Sequence, residues 1–394
     1  MKRTIKDIDI NGKKVLLRVD FNVPIDDDGN IKDATRIKME LPTIKYLLMH
    51  NASVIICSHL GRPEGEVNTK FSLFPIARYL IKELVGRVYF CNDCIGNDAE
   101  QKAKDLKPGE VLLLENVRFH KEEEQNDPVF ASKLASLADV YINDAFGTAH
   151  RKHASTYGVA KLLPSAVGLL MGKEVTAIRG VIDNPERPLL AILGGAKVSD
   201  KLPLLNHFVE KCDTILIGGG MAFTFLKAKG VKVGKSLVDD EKLDEAKEIL
   251  QKAQERGVKV ILPVDYLCSR EFSPNAKGVK IKGDIPDDLQ ALDIGKKTVK
   301  LFVKEIKSAG SIIWNGPLGV FEFKNFANGT KEVAKAVIKF KGKAVVGGGD
   351  SIAAINKVGD TKSIYHVSSG GGASLKLMAG ESLPCLEVIS EKEV

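Results

Sequence analysis

The chain lacks the long apolar runs that membrane proteins need. Its 394 residues contain no stretch of about 18 consecutive apolar side chains, which argues against a membrane-spanning helix. The first residues alternate charged and apolar side chains, whereas a secretory signal has a continuous apolar core. We therefore expect a cytoplasmic protein without a membrane partner.

Cysteine is scarce, since six cysteines in 394 residues are too few for a disulfide framework. Cys91 and Cys94 form the one close pair. A structural zinc site would normally have a second Cys or His pair at similar spacing, and the sequence shows none. We expect reduced thiols that are partly buried.

A large excess of one charge is also missing. Lys and Arg number 58 and Asp and Glu 51, so the formal net charge is +7. Nucleic-acid-binding domains usually carry a strongly basic face, so we expect no nucleic-acid partner. Charged residues make up 28% and hydrophobic residues 44%, which is typical of a globular protein, and the length suggests two domains.

The common nucleotide and hydrolase motifs are absent as well. Gly234-Lys235-Ser236 has the ending of a P-loop, but Lys229 stands where the first glycine is required. Neither a G-x-G-x-x-G in the glycine clusters nor a G-x-S-x-G elbow is present. A dinucleotide-binding dehydrogenase is therefore disfavoured, and any nucleotide site must use another scheme.

What the sequence does contain is an alternation of short apolar runs and helical patterns. The runs are rich in β-branched residues and almost continuously apolar, as in parallel strands buried on both faces. The predicted strands are Val15–Val19, Ser53–Cys57, Val88–Cys91, Val111–Glu115, Val140–Asn143, Leu189–Leu193, Thr214–Ile217, Lys259–Leu262, Ser311–Trp314, Ala344–Gly347 and Ile364–Val367. Helical patterns such as Ala131–Ala138 and Asp240–Arg256 lie between them. Strand and helix in series predict an α/β fold with doubly wound parallel sheets.

Eleven strands are many for one open sheet, so we expect two Rossmann-like lobes. The longest interval without a predicted strand, 154–187, holds a helical pattern over Gly168–Ile182 and then two prolines, Pro185 and Pro188. We predict an N-terminal domain of residues 1–170, an interdomain helix and hinge of residues 171–187, and a C-terminal domain of residues 188–378.

Cationic side chains follow the predicted strands of the first lobe. Ligands of open parallel sheets bind beyond the carboxyl ends of the strands, and a guanidinium matches phosphate and carboxylate oxygens. The convergent residues are Arg36, His59, Arg62, Arg118, His150 and Arg151. Each one alone could be a surface residue or an ion-pair partner, but together they predict a pocket for a small polyanion. Asp20 and Asn22 would either cap the turn structurally, or bind a ligand hydroxyl or orient an arginine.

Glycine clusters follow the predicted strands of the second lobe. They lie at 194–195, 218–220, 316–319, 347–349 and 370–372. Glycine permits close backbone approach, and amides at a following helix N-terminus can hold phosphate, although a single cluster could be a tight turn. Lys197 and Lys201 are four apart and would share one face of a helix beginning there, either as phosphate ligands or as solvated lysines.

Several long segments resemble the phosphoglycerate kinase family. They occur in family order from end to end of the chain: Leu16–Pro24, His59–Pro63, Asn143–Arg151, Gly194–Lys201, Gly218–Phe225, Trp314–Glu322, Gly347–Ser351 and His366–Ser374. The resemblance implies a monomeric kinase that converts 1,3-bisphosphoglycerate and MgADP reversibly into 3-phosphoglycerate and MgATP. It also implies that the segment 379–394 packs back on the N-terminal domain and that the lobes close on a hinge.

The resemblance implies a role for each matching residue. The first lobe would bind the glycerate through Asp20, Phe21, Asn22, Arg36, His59, Leu60, Gly61, Arg62, Arg118 and Arg151. The second lobe would bind the nucleotide through Lys197, Lys201, Gly219, Ala291, Glu322, Gly348, Gly349, Asp350 and Ser351. Glu322 would take the ribose and Asp350 the Mg²⁺ ion. Arg36, Lys197, Gly371 and Gly372 would surround the transferred phosphoryl group.

Two positions depart from the family pattern. Ala291 stands where many members have glycine, and Ser351 and Ser369 stand where many have threonine. A backbone contact could survive the alanine, and the hydroxyl is kept in both serines. The weaker alternatives are an NAD-dependent two-lobe dehydrogenase, which would need the missing fingerprint, and a non-catalytic anion-binding protein, which would not need five glycine loops.

Overall fold

The computed structural model describes residues 2–84 and 87–392. The chain divides into two compact units, of which the first runs to Val175 and resumes at Ser382, and the second comprises Thr176–Glu381. The division falls inside one helix, and the hinge predicted for residues 171–187 stays a prediction. Among the described residues, no helix combines the length and apolar character needed to span a bilayer.

The first unit is built on a six-stranded parallel sheet. Its strands are β1 (Lys14–Arg18), β2 (Ser53–Cys57), β3 (Val88–Phe90), β4 (Val111–Leu113), β5 (Val140–Asn143) and β6 (Ser165–Val167). Their order in the sheet is β3-β4-β2-β1-β5-β6, so the chain changes direction across the sheet between β1 and β5. Such a switch point is where open α/β sheets bind ligands.

Helices cover both faces of this sheet. They are α1 (Thr35–Met49), α2 (Phe74–Glu83), α3 (Asn97–Asp105), α4 (Lys121–Gln125), α5 (Pro128–Ala135) and α6 (Leu169–Asp183), the last continuing into the second unit. The start of α5 has a local cause, since the Asp127 side chain accepts the Phe130 N–H and Pro128 occupies the first turn. Successive residues of β1 point to opposite cores, with Val15 and Leu17 in one cluster and Leu16 in the other.

The second unit holds two sheets. Its strands are β7 (Leu189–Leu193), β8 (Thr214–Ile217), β9 (Lys259–Ile261), β10 (Asp265–Ser269), β11 (Val279–Lys282), β12 (Gln290–Ile294), β13 (Ser311–Asn315), β14 (Lys343–Gly347) and β15 (His366–Val367). The six-stranded parallel sheet has the order β15-β14-β13-β7-β8-β9, with its switch point between β7 and β13. The other three strands form an antiparallel sheet of order β11-β10-β12.

The helices of the second unit alternate with its strands. They are α7 (Leu202–Lys211), α8 (Met221–Ala228), α9 (Leu243–Glu255), α10 (Lys296–Ser308), α11 (Asn328–Ile338), α12 (Gly349–Asn356) and α13 (Gly371–Met378). Of these, α10 follows β12 of the small sheet. A short helix, α14 (Pro384–Glu387), lies in the C-terminal segment that belongs to the first unit. Lys392 of this segment pairs with Asp7 at 2.7 Å, and Cys385 N donates to Ala149 O at 3.2 Å.

The predicted doubly wound α/β class is confirmed, and all eleven predicted strands are present with ends shifted by a residue or two. Four strands were not predicted. β6 has only three residues and lies inside the interval 154–187, where a helical pattern dominates. β11 is largely exposed and alternates apolar residues with lysine, whereas β10 and β12 are mostly buried but each contains an aspartate, Asp265 or Asp293, so none of the three has the continuous apolar character of the other buried strands.

Two predicted helix positions were also wrong. The helix predicted at Ala131–Ala138 is α5, which begins three residues earlier and ends at Ala135. Lys197 and Lys201 do not share a helix, because Ser199–Lys201 forms a 3₁₀ turn and α7 begins at Leu202. Pro203 favours the first turn of a helix, which explains why α7 starts there.

Candidate functional site

In the first unit, the loops that follow β1, β2, β4 and β5 carry the predicted anion-binding residues. Arg36 of α1 lies over the first of these loops. Its Nη1 donates to both carboxylate oxygens of Asp20 at 3.0 Å and to the Asn22 carbonyl oxygen at 3.3 Å. Asn22 Oδ1 in turn accepts from Gly61 N at 3.0 Å, which ties the loop after β1 to the loop after β2. The Arg36 side chain remains 40% exposed, so it is held at one end and open to a ligand at the other.

His59 is a buried neutral histidine beside these loops. Burial lowers its pKa well below the usual range, and the positive charges of Arg18, Arg118, Arg36 and Arg151 lower it further. Arg18 Nη2 lies 3.3 Å from His59 Nδ1. Because a guanidinium only donates, Nδ1 accepts and the single imidazole proton sits on Nε2. His59 can therefore donate one hydrogen bond to an anion without contributing a charge.

Arg118 is the most buried of the predicted arginines, with 5% of its surface exposed. Its Nη1 donates to Gly61 O at 2.7 Å, and its Nε lies 3.1 Å from Glu124 Oε1. Burial lowers the pKa of Arg118, which Glu124 partly opposes and Arg18 and Arg151 reinforce. Arg62 is exposed, and both arginines line a cavity of about 400 Å³ with Glu64, His120, Lys121 and Glu124.

Arg151 follows β5 and is half-buried, with its Nε 3.3 Å from His150 Nε2. The neighbouring His153 has a pKa of about 3, because it is buried and Arg118, Arg18 and Arg151 surround it. The positive charges of Arg18, Arg118 and Arg151 lower the pKa of both His59 and His153, so these three arginines lie near both histidines. The structure thus brings the predicted cations of four loops to one edge of the sheet.

Phe21 and Leu60 are placed differently from the other predicted ligands. Phe21 belongs to the hydrophobic core with no exposed surface, and its N–H donates to Ser58 Oγ at 2.9 Å. Leu60 is 4% exposed, and its N–H and carbonyl both bond the Asn116 side chain. These backbone groups already have partners, so the two residues shape the loops rather than present side chains to a ligand.

Arg18, the last residue of the apolar strand β1, is a further cation of this region that the sequence analysis did not predict. It is 1% exposed and donates to Ser155 Oγ at 2.8 Å. Ser155 also donates from both N and Oγ to the buried carboxyl of Glu123, at 2.8 and 2.6 Å. An arginine inside an otherwise apolar run is the signal that would have indicated this residue.

In the second unit, the first three glycine clusters pack against one another. Gly195 N donates to Pro317 O and Gly219 N to Leu318 O, both at 3.0 Å. A Cβ on Gly194 would meet Pro317 O, and a Cβ on Gly219, whose φ is +66°, would lie within 2.8 Å of Gly195 and Pro317 backbone atoms. These glycines therefore allow three loops to meet backbone to backbone, which is a packing role in addition to any role in binding.

The fourth and fifth clusters open two helices toward solvent. Gly349 and Gly371 begin α12 and α13, and a Cβ on either would meet nothing within 4 Å. Gly372 and Asp350 are likewise exposed. Amides at such helix starts point outward and favour an anion. Gly348 has a φ of +92° and leads into α12, whereas Ser351 is buried and its Oγ accepts from Gly316 N at 2.7 Å.

The two predicted lysines have different surroundings. Lys201 Nζ donates to Asn315 Oδ1 at the end of β13, and burial lowers the pKa of this lysine. Asn315 at the end of β13 thus fixes the position of the Lys201 ammonium group. The Lys197 ammonium group is exposed and accessible to a ligand.

A cavity of about 500 Å³ lies beside these loops in the second unit. Four predicted residues line it, namely Gly219, Ala291, Glu322 and Asp350. The apolar part of its wall was not predicted and includes Phe223, Leu237, Phe272, Pro317, Leu318, Val320 and Phe323. β12 supplies Gln290–Ile294 to the same wall, so the unpredicted antiparallel sheet builds one side of the cavity. An apolar slot next to open helix N-termini suits a flat ring joined to phosphates.

Asp293 lines this cavity as a buried carboxyl group. It accepts from Gly329 N at 2.8 Å and Ile294 N at 2.9 Å, and burial raises its pKa to about 8. A Cβ on Gly319 or Gly329 would lie 2.3 Å from Asp293 Oδ1, which explains glycine at both positions. Asp293 therefore holds the start of α11 and the loop after β13 against the cavity wall.

All six cysteines are free and buried. Asp93, Cys94 and His120 offer ligand atoms within 4.8 Å of one another. However, Asp93 Oδ1 already accepts from His120 Nε2 at 2.8 Å and from Cys94 N at 2.6 Å, and Cys91 Sγ donates to Asp98 at 3.3 Å. These internal bonds agree with the interpretation of Cys91 and Cys94 as reduced structural thiols.

Comparisons of the sequence and of the fold with known proteins all identify the same family. A family model for phosphoglycerate kinase matches residues 5–381. The phosphoglycerate kinase of Moorella thermoacetica is 52% identical over 392 residues, which cover 99% of this chain and 100% of that protein. That of Finegoldia magna is 50% identical over 395 residues, with the same coverage. The solved structure of phosphoglycerate kinase from Coxiella burnetii superposes with a TM-score of 0.91 at 40% identity, covering 98% of each chain.

Proposed function

The chain belongs to the phosphoglycerate kinase family, and we propose that it catalyses the reversible transfer of a phosphoryl group between ATP and the carboxyl group of 3-phosphoglycerate, with the first unit binding the glycerate and the second the nucleotide. The observation that carries this division is the contrast in binding chemistry. One unit has a guanidinium-rich loop edge around Arg36 and His59, and the other has an apolar cavity beside two open helix N-termini.

The first unit supports binding of a small anion by fixed donors. Arg36 is oriented by Asp20, His59 donates through Nε2, and Arg118 is oriented by Gly61 and Glu124. We propose that Arg62, Arg118 and Arg151 hold the phosphate that is not transferred, while Asp20 and Asn22 contact the glycerate backbone. The bidentate geometry of guanidinium groups suits both phosphate and carboxylate.

The second unit supports nucleotide binding in three parts. We propose that the cavity lined by Ala291, Leu318 and Phe323 takes the adenine ring and that Glu322 takes the ribose hydroxyls. The amides of Gly348 to Ser351 and the Lys201 ammonium would then hold the phosphates.

Mg²⁺ fits the donors present, because Asp350 is an exposed carboxylate in the lining of the same cavity and Mg²⁺ prefers oxygen ligands. When bound, the ion neutralises charge on the nucleotide phosphates. Asp350 also lies in the first turn of α12, at the end of the helix where the backbone amides point toward a phosphate. Our proposal assigns the metal to this residue alone.

The chemistry needs no general base. The attacking carboxylate of 3-phosphoglycerate is already ionised at neutral pH, so the protein must align the groups and neutralise the charge of the transferred phosphoryl oxygens. We propose Arg36 and Lys197 for that neutralisation, with the amides of Gly371 and Gly372 aimed at the same group. This agrees with a site made of cations and backbone amides, in which the nearby His59 is neutral and already bonded.

A coupled assay tests the proposal directly. Formation of 1,3-bisphosphoglycerate from 3-phosphoglycerate and ATP is followed through NADH oxidation by an added dehydrogenase, with Mg²⁺ omitted in the control. Activity that requires ATP, 3-phosphoglycerate and Mg²⁺ supports the assignment, and its absence in folded protein rejects it. We also propose a cytoplasmic monomer, for which size-exclusion chromatography with light scattering gives the molar mass.

A further inference from the structure

Two buried carboxyl groups face each other in the first unit outside the proposed ligand contacts. Glu40 of α1 is 1% exposed, and Asp144, in the loop after β5, has no exposed surface. The two groups lie close together, since Thr43, three residues after Glu40 in α1, donates its hydroxyl to Asp144, and a hydrogen bond between the two carboxyl groups contributes to the pKa shift of each. Two carboxyl groups can form such a bond only if one of them carries a proton, because a carboxylate has no donor.

The donors around each group indicate which one holds the proton. Asp144 accepts from Met171 N at 2.8 Å, from Thr43 Oγ and from the backbone of Leu170. Glu40 Oε1 accepts from Asp20 N at 3.1 Å, while Glu40 Oε2 has no donor among the described residues. Asp144 thus has more hydrogen-bond donors to stabilise a negative charge, and Glu40 is the group that is stabilised more by being neutral.

The pKa directions agree with this count. Burial and the nearby charge of Asp144 raise the pKa of Glu40 well above its usual range, and burial raises the pKa of Asp144 to about 6. The charged groups that face Glu40 are Asp144 and Asp20 from the loops after β5 and β1, with Arg36 of its own helix bound to Asp20. At neutral pH the pair therefore holds one negative charge, on Asp144.

Glu40 is also linked to the proposed catalytic arginine through two hydrogen bonds that meet at Asp20. Arg36 binds the Asp20 carboxylate, the Asp20 N–H donates to Glu40, and Glu40 contacts Asp144. The carboxylates are confined by glycines: a Cβ on Gly147 would lie 2.5 Å from Asp20 Oδ2, and a Cβ on Gly168 would lie 2.3 Å from Asp144 Cγ. Asp20 and Asp144 have little room to move, so a change at Glu40 acts on the backbone that aims Asp20.

We propose that Glu40 is a positioning residue that works as a neutral acid: its Oε2 hydroxyl donates to Asp144 while its Oε1 accepts from Asp20 N and so keeps Arg36 oriented for the ligand. The link to Arg36 rests on the proposed function. The protonation of Glu40 does not, so the two parts can fail separately.

Paired substitutions test the positioning role. Glu40→Gln keeps an acceptor for Asp20 N and a donor for Asp144, so we expect KM for 3-phosphoglycerate and kcat within about twofold of the parent protein. Glu40→Leu removes both, and we expect KM to rise about tenfold or more because Asp20 and Arg36 lose their alignment. Ile44→Val, a small change in the buried face of the same helix, controls for simple loss of stability and should leave KM unchanged.

Infrared difference spectroscopy tests the protonation. A protein-minus-Glu40→Gln spectrum at neutral pH should show the carbonyl stretch of a protonated carboxylic acid. That band should shift when glutamate carboxyls are isotopically labelled and stay in place when aspartate carboxyls are labelled. A shift with aspartate labelling, or no band at all, would overturn the assignment of the proton to Glu40.

The pH dependence of stability provides a second readout that needs no substrate. A folded-state pKa raised above the unfolded value means that the folded protein gains stability from the proton at low pH and loses it as pH rises toward the raised pKa. Glu40→Gln cannot titrate, so its melting temperature should rise relative to that of the parent protein as pH increases from about 5 to 8. A constant difference would contradict a neutral Glu40.

The outcomes separate the two claims. If the glutamate band is present but Glu40→Leu leaves KM unchanged in a folded protein, Glu40 is neutral without being a positioning residue. If Glu40→Gln loses activity as severely as Glu40→Leu, the charge of Glu40 is required and the proposal is wrong. If the parent protein shows no kinase activity, the infrared and melting experiments still decide the protonation.

Discussion

The two units use the same scaffold, but the anion sites that we propose on them are built in opposite ways. Each has a six-stranded parallel sheet whose chain direction reverses next to a central strand. In the first unit the loops at that point present side chains: Arg36, Arg118 and Arg151 with the neutral His59. In the second unit they present backbone, because three loops pack through glycine and two helices start at open glycines. The sheet topology therefore determines where a ligand site can form, and the loop residues determine which groups are available to bind the ligand.

The contrast has a physical consequence for substitutions. A side-chain site loses a donor when one residue is truncated, while the fold survives. A backbone site keeps its amides under most substitutions and is vulnerable where a Cβ would collide with a neighbouring loop. The following predictions test that difference.

The largest effect is expected for Arg36→Ala in the first unit. This variant removes a preorganised cation, which should cost about 2–4 kcal/mol of transition-state stabilisation and lower kcat by a corresponding factor of tens to about a thousand. Steady-state kinetics at saturating substrates measure it. Arg87→Ala removes an exposed arginine that pairs with Glu110 and should retain full activity. Near-normal kcat in Arg36→Ala would remove this residue from the mechanism.

Gly219→Ala should give the second largest effect, and mainly on stability. The added Cβ would lie within 2.8 Å of backbone atoms of two other loops, at a φ of +66°. We expect a loss of about 1–3 kcal/mol of unfolding free energy together with weaker ATP binding. Gly230→Ala is the matched control, since φ is +85° there but nothing lies within 4 Å. Equal destabilisation of the two variants would show that loop packing does not explain Gly219.

Asp293 should make the second unit less stable as pH rises. Its folded pKa of about 8 lies above the unfolded value, so its proton stabilises the folded form and that contribution disappears as pH approaches 8. The stability difference between the parent protein and Asp293→Asn should fall by about 1.4 kcal/mol per pH unit between pH 6 and 8. Denaturant unfolding at several pH values measures it. The exposed Asp360→Asn should show no such trend over that range.

The smallest effect is expected for Gly349→Ala, which separates binding from folding in the second unit. A Cβ there meets open space at the start of a helix, so the melting temperature should stay the same or rise slightly. A methyl group in front of the proposed phosphate amides should nevertheless raise KM for ATP by severalfold, or about 1 kcal/mol. Gly180→Ala, also in a helix with open space, should leave KM for ATP unchanged. An unchanged KM in Gly349→Ala would mean that this loop does not hold phosphate.

Much of the proposed site in the first unit could be predicted because it consists of side chains. A cation after a buried strand is visible in the sequence, and the rule for parallel sheets brings four such loops to one edge. What could not be predicted is how they are held. Arg18, Glu40 and Glu123 are buried charged residues whose partners are distant in sequence, such as Ser155 for Arg18. No local pattern contains those pairings.

The second unit was harder to predict for the same reason. Glycine clusters showed that the backbone must come close to something, but not whether that was a ligand or another loop. Only the folded structure shows that Gly194 and Gly219 pack closely against the backbone of neighbouring loops, whereas Gly349 and Gly371 face open space. The cavity wall from β12 was missed because Gln290 and Asp293 interrupt this strand, so it lacks the continuous apolar run that marks the strands of the parallel sheets.

The sequence by itself determined the α/β class, eleven of the strands, the family and the residue types that can bind anions, because periodicity, strand ends and long motifs are local properties. The tertiary structure decided which charged groups are buried, which glycines remain open and which partners surround Glu40. Those depend on burial and on partners contributed by distant segments, and desolvation is set by the whole fold rather than by any stretch of the chain.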